Sequence, residues 1–133
     1  MSERYHPDLD QVAFADSVGK SLAALLPLAR LHQSHEETPQ TWERLRELGV
    51  FGIALPEAEG GSGLGAAEEA LIVLELGRRV VAPAVLASLG LAHLPQAARR
   101  MAQSSERKVA AGYRRGQRVV FVDEPGAELL LVR

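Results

Sequence analysis

Apolar residues along this chain recur mostly at helical spacing. Val18, Leu22, Leu25, Leu26 and Ala29 share one face of a helix whose start falls near His6-Pro7 or Asp8. Pro27 interrupts that face. It lacks an N–H and clashes with the preceding turn, so the helix must kink or end near Leu26. The polar segment from His32 to Pro39 reads as a loop. Thr38 is placed to cap the next helix, with Pro39 at its first position. Trp42, Leu45 and Leu48 give that helix a buried stripe, and Gly49 suits the left-handed position after its end.

The next run, Val50 to Leu55, is apolar and ends at Pro56. Its period fits either a strand or a buried extended link. A glycine-dense loop, Gly60 to Gly65, leads into the clearest helix of the chain. Ala67, Ala70, Leu71 and Leu74 make its expected inner face, with Glu68, Glu75, Arg78 and Arg79 mostly outside. Glu75 and Arg79 stand in the favourable i,i+4 order. Pro83 opens a helix to about Leu94, Pro95 begins another, and Ser104-Ser105 caps one reaching Tyr113 and closed by Gly116. Arg118–Val122 and Leu129–Val132 are β-prone and flank Asp123-Glu124-Pro125-Gly126, as in a hairpin or the first strands of a sheet. The expected fold is mainly α: a helical domain over 1–116, then a short hairpin or strand pair over 117–133. Two strands alone are marginal in water, so a shortened chain or a partner chain is expected.

Composition narrows the classes. The 133 residues suffice for one compact domain, and 47% hydrophobic against 24% charged residues fits a folded protein. A net charge of -2 gives no basic field for nucleic acid. Without cysteine there are no disulfides and no thiol chemistry. The polar N-terminus has no signal-peptide core, and no uninterrupted apolar run of about 18 residues exists, so a cytoplasmic protein without a membrane span is expected.

Gly61-Ser62-Gly63-Leu64-Gly65-Ala66 formally fits the dinucleotide fingerprint G-x-G-x-x-G/A, after an apolar run and before a helix. Two features oppose a nucleotide cradle. Pro56 to Gly60 intervene where the fingerprint needs a tight strand-to-helix turn. No acidic residue lies between Glu75 and Glu106 to take the ribose hydroxyls. The other reading is that these glycines let the loop turn and pack closely. His32 and His35 stand beside Glu36 and Glu37 in a solvated connection, and no metal site is expected there. Arg99, Arg100, Arg107, Lys108, Arg114, Arg115 and Arg118 make the last third basic, either to grip phosphate or as a solvated face. No serine has G-x-S-x-G context and no carboxylates pair as acid and base, so no residue is assigned a catalytic role.

The stretch from Trp42 to Pro83 resembles the N-terminal helical domain of the flavin-dependent acyl-CoA dehydrogenases. The resemblance is most specific from Leu45 to Gly77. Leu48-Gly49, Pro56-Glu57, Gly60-Gly61, Gly63 and Leu76-Gly77 match the family string. It implies the first of three domains plus the entry to the second, in a family that uses FAD to take a hydride from the β-carbon of an acyl-CoA. It also implies that Leu86, Leu89 and His93 lie near the acyl-pocket wall. Val122-Asp123-Glu124-Pro125-Gly126-Ala127 is similar to a family motif whose backbone and threonine contact the flavin, which implies cofactor contacts at Val122 and Asp123. Here Asp123 replaces the threonine, and Glu128-Leu129-Leu130 replaces Gly-Ser-Asp. An acid beside a flavin that becomes anionic on reduction is unfavourable. Alternatively, Ala127 to Val132 resembles a later family strand. The family's catalytic glutamate has no counterpart in this chain. The resemblance therefore implies an FAD-dependent, acyl-CoA-oxidising assembly in which missing domains or a partner complete the site. The chain would add pocket wall and interface, as a homo- or hetero-oligomer with another acyl-CoA dehydrogenase-like subunit. The alternative is a non-catalytic helical interaction module derived from that fold.

Overall fold

In a computed structural model, residues 6–34, 36–103, 108–122 and 126–132 are described. The chain divides into two compact units, Met1–Val81 and Ala82–Arg133. The first unit is helical and the second combines helices with a small sheet, so the architecture is mainly α as expected.

In the first unit, helix α1 spans Leu9–Leu25. Asp8 accepts the Gln11 N–H at 2.8 Å while the Gln11 side chain accepts the Asp8 N–H at 3.0 Å, a reciprocal cap. The helix stops before Pro27, and Leu28–His32 continues as a 3-10 turn. Leu22 and Leu26 are fully buried, while Ala29, expected on the same face, is exposed. By length and composition alone the stretch Leu9–His32 would reach across a membrane, though the break at Pro27 divides it.

Helix α2 spans Pro39–Glu47. Thr38 caps it through the Thr41 N–H, Pro39 opens it, and Gly49 follows it at φ 74°. Leu45 is fully buried. Trp42 stacks on Phe51 with centroids 5.5 Å apart, whereas Leu48 is exposed.

Val50 to Leu55 is neither strand nor extended link. Val50–Gly52 is a 3-10 turn, and Gly52 and Leu55 close successive tight turns onto the carbonyls of Gly49 and Gly52. Val50, Ile53 and Leu55 are buried in these turns, which no period-two or period-3.6 pattern describes.

Helix α3 spans Ala66–Arg78 and packs along α1. Its buried residues are Ile72 and Leu76; Ala67, Ala70 and Leu74 are exposed. The expected inner face is therefore rotated. The sequence Ala-Leu-Ile-Val-Leu-Glu-Leu carries apolar residues almost all round, so periodicity alone does not fix which side turns inward. The ion pair on its surface is Glu75–Arg78, not Glu75–Arg79. After the helix, Val80 takes φ 50°, a left-handed conformation that a β-branched residue seldom adopts. Val80 and Val81 donate to Gly77 and Leu76, the pair of bonds that usually closes a helix on glycine.

Arg30 secures these ends. Its Nε and Nη2 fork onto both oxygens of Glu37, at 3.0 and 2.7 Å. Nη1 also donates to Arg79 O at 2.9 Å and to Pro27 O at 3.3 Å, and Nη2 to Val80 O at 3.2 Å. The Glu37 side chain is only 3% exposed.

In the second unit, α4 spans Pro83–Gly90 and a 3-10 turn covers Leu91–His93; α5 spans Gln96–Gln103. Strands β1 (Lys108–Arg115), β2 (Arg118–Phe121) and β3 (Ala127–Val132) form a sheet in the order β2-β1-β3. β2 is antiparallel to β1 and β3 parallel to it. Two expectations are corrected here. The segment reaching Tyr113 is a strand, not a helix, and the hairpin joins β1 to β2 rather than flanking Asp123–Gly126. The expected Ser104-Ser105 cap lies outside the described residues. Pairing on both sides of β1 outweighs the helix preference of Ala110 and Ala111. Gly112 lets the strands close up, since a Cβ there would meet Val120 O at 3.0 Å. α4 packs on β1 with Val85, Leu89 and Val109 buried, each such side chain contributing about 1.5–3 kcal/mol.

Arg30→Ala should lower unfolding free energy in urea by about 3 kcal/mol, because it removes the bidentate cationic partner of the buried Glu37 carboxylate. Arg44→Ala, which breaks the exposed pair with Glu47, should change it by less than about 1 kcal/mol.

Candidate functional site

The glycine loop is built from the missing side chain of Gly61. A Cβ there would lie 2.2 Å from Leu55 O and 2.6 Å from Gly52 O, inside contact distance of backbone that has nowhere to move. Gly60 and Gly63 take φ 81° and 61°, which glycine adopts without strain. The loop folds back over the Val50–Leu55 turns, and this uses its amides. Gly60 N–H bonds to Glu57 O, Gly61 to Pro56 O, Ser62 to Gly52 O, Gly63 to Leu55 O and Leu64 to Ile53 O, all within 2.8–3.1 Å. Gly65 N–H bonds to Glu68 Oε2 at 3.0 Å. A phosphate cradle needs such amides unpaired and pointing outward. Here each is already satisfied, and no strand precedes the loop. The dinucleotide resemblance is therefore formal, and the packing reading of the glycines holds.

Glu68 links this loop to α1. Its second oxygen accepts from Gln11 Nε2 at 2.9 Å, so the capping residues of α1 and the N-terminus of α3 form one network. The Gln11 hydrogen bond, with backbone N–H groups at the helix start, holds the Glu68 carboxyl below its ordinary 4.5. Two clefts follow the α1–α3 seam. One, about 310 Å³, is lined by Asp8, Gln11, Ala67 and Leu71 among others. The other, about 160 Å³, is lined by Val12, Ala15, Asp16, Leu71, Leu74, Glu75 and Arg78.

The residues expected at the acyl pocket do not present one common surface. Leu89 is buried within α4, Leu86 is exposed on the same helix, and His93 is exposed in the following 3-10 turn. Val122 is exposed, and its N–H bonds to Ala111 O at 3.2 Å, extending the β1–β2 pairing. That donor is not available to a flavin, and Asp123 lies outside the described residues. Among the described residues, no group of three or more His, Asp or Glu is arranged to hold a metal ion. Sequence reading missed Arg30, Glu37 and the Gln11–Glu68 link. Only the Asp8-to-Gln11 spacing of the capping box gave a local signal.

With this geometry in view, the comparisons agree. Residues 8–114 match the family described as acyl-CoA dehydrogenase, N-terminal domain. The chain is 30% identical over 125 residues to acyl-CoA dehydrogenase FadE28 of Mycobacterium tuberculosis (strain ATCC 25618 / H37Rv), covering 94% of this chain and 33% of that protein. Its fold is similar to a chain of the solved Tcur3481-Tcur3483 steroid ACAD G363A variant, with a TM-score of 0.63 and 22% identity over 92% of this chain and 44% of that one. The chain thus belongs to the acyl-CoA dehydrogenase family. It spans about a third of the length of the curated relative it matches.

Two outcomes check this site. Gly61→Ala should destabilise the protein by more than about 2 kcal/mol in urea unfolding, through the clash with Leu55 O. For Glu68, the ionised form is favoured by the fold. Its stabilisation is complete above the unfolded value of 4.5 and is lost as pH falls through the lowered folded value. Glu68→Gln should therefore flatten the fall in stability as pH drops below 4.5, measured by urea midpoints.

Proposed function

We propose that this chain is a structural contributor to an FAD-dependent acyl-CoA-oxidising assembly and is inactive alone. The observation that supports this reading is the family match over residues 8–114. Another acyl-CoA dehydrogenase-like subunit would supply the flavin and the base. This chain would add acyl-pocket wall, through the α4 region that carries Leu86, Leu89 and His93, and interface. Its own part in the chemistry is exclusion and positioning. Apolar side chains along a pocket wall keep water from the acyl chain and hold its α- and β-carbons in register with a base and an acceptor supplied elsewhere. FAD, when bound by such an assembly, would accept the hydride.

The test is co-expression with neighbouring acyl-CoA dehydrogenase-like subunits. The expected outcome is a stoichiometric yellow complex that reduces an electron acceptor with an acyl-CoA, and loses that activity when this chain is omitted. A colourless chain that joins no such subunit and leaves the activity of each unchanged would overturn the proposal and favour a non-catalytic module.

A further inference from the structure

The charges of this chain are divided between its two units. Residues 1–81 carry thirteen acidic and seven basic side chains, whereas residues 82–133 carry four acidic and eight basic. A net charge near neutral thus conceals an acidic and a basic portion.

The basic portion is sharpest at the β1–β2 hairpin. Arg115 pairs directly with Arg118 across the two-residue turn Gly116-Gln117, and Tyr113 pairs with Val120 behind them. Strand alternation puts these four side chains on one face of the hairpin. All are exposed, Tyr113 by 54% and Val120 by 41%. Like charges directly opposite one another disfavour the hairpin. Among the described residues no ion pair relieves either arginine. The face is therefore an apolar pair continued by a cationic pair.

The smaller cleft of the α1–α3 seam has the complementary character. Val12 and Leu74, 41% and 59% exposed, line it with Ala15 and Leu71, and so do Asp16, Glu75 and Arg78, of which Glu75 and Arg78 pair with each other. Asp16 is exposed and, among the described residues, has no ion pair.

We propose that the Tyr113–Arg115–Arg118–Val120 face of the hairpin docks in the α1–α3 cleft of a second copy of this chain. The apolar pair covers Val12 and Leu74, and the arginines meet Asp16. The contact is heterologous, since two different surfaces meet. Its charge complementarity makes it dependent on salt. It stands independently of the proposed catalytic assembly, because the surfaces involved are both on this chain.

Sedimentation velocity on the full chain tests it. Self-association is expected at about 50 mM salt and should be lost near about 0.5 M, where the Debye length approaches 4 Å. Asp16→Arg, and separately the double change Arg115→Glu with Arg118→Glu, should each weaken association at least about tenfold. Mixing the two variant chains should restore a complex that neither forms alone, which also shows that both are folded. A chain that is monomeric at low salt overturns the proposal. So does association unaffected by both variants, or variants that fail to complement each other while keeping native circular dichroism.

Discussion

The first unit depends on where Arg30 puts its guanidinium. Three chain segments end near it: α1 at Leu26-Pro27, the loop before α2 at Glu37, and α3 at Arg79-Val80. Each end leaves carbonyls or a carboxylate that burial would make costly. One planar group with several fixed donors satisfies all three at once, which a lysine ammonium does not do with the same geometry. The arrangement also accounts for Val80. A left-handed β-branched residue costs on the order of 1–2 kcal/mol. The helix-closing bonds of Val80 and Val81, together with Arg30 on the Arg79 and Val80 carbonyls, hold the backbone there without glycine.

The glycine loop shows the same physics in reverse, since there the shape follows from a missing group. Gly61 allows two backbone segments to approach closely, and that approach brings the Ser62, Gly63 and Leu64 amides onto carbonyls of the preceding turns. A loop that satisfies its own amides is a stable packing element and a poor anion site. The spacing of glycines is common to both kinds of loop. What separates them is where the N–H groups go, and that depends on the segment before the loop.

Local chemistry made much of this fold legible. Pro27 ended α1, Thr38 and Pro39 began α2, Gly49 closed it, and Pro83 opened α4. Each is a short-range rule about one N–H, one hydroxyl or one φ angle. Several misreadings concern longer range. The buried side of α3 depends on α1, because α3 is apolar on several sides. β1 is a strand because β2 and β3 flank it. Arg30 and Glu37 sit seven residues apart in a segment that reads as solvated, and their burial comes from the end of α3, some fifty residues on.

These results also separate membership from activity. Several residues that carry the family resemblance, Gly49, Gly60, Gly61 and Gly63, have backbone roles in the turns between α2 and α3. They explain why the chain folds as the family's first domain. They contribute no acid, base or nucleophile, so the resemblance is evidence about architecture first. At the strand end, the Val122 N–H is taken by Ala111 O within the sheet. What the chain brings is defined surface: a helical pair with an apolar seam that Asp16, Glu75 and Arg78 also line, and a hairpin on which Arg115 stands opposite Arg118.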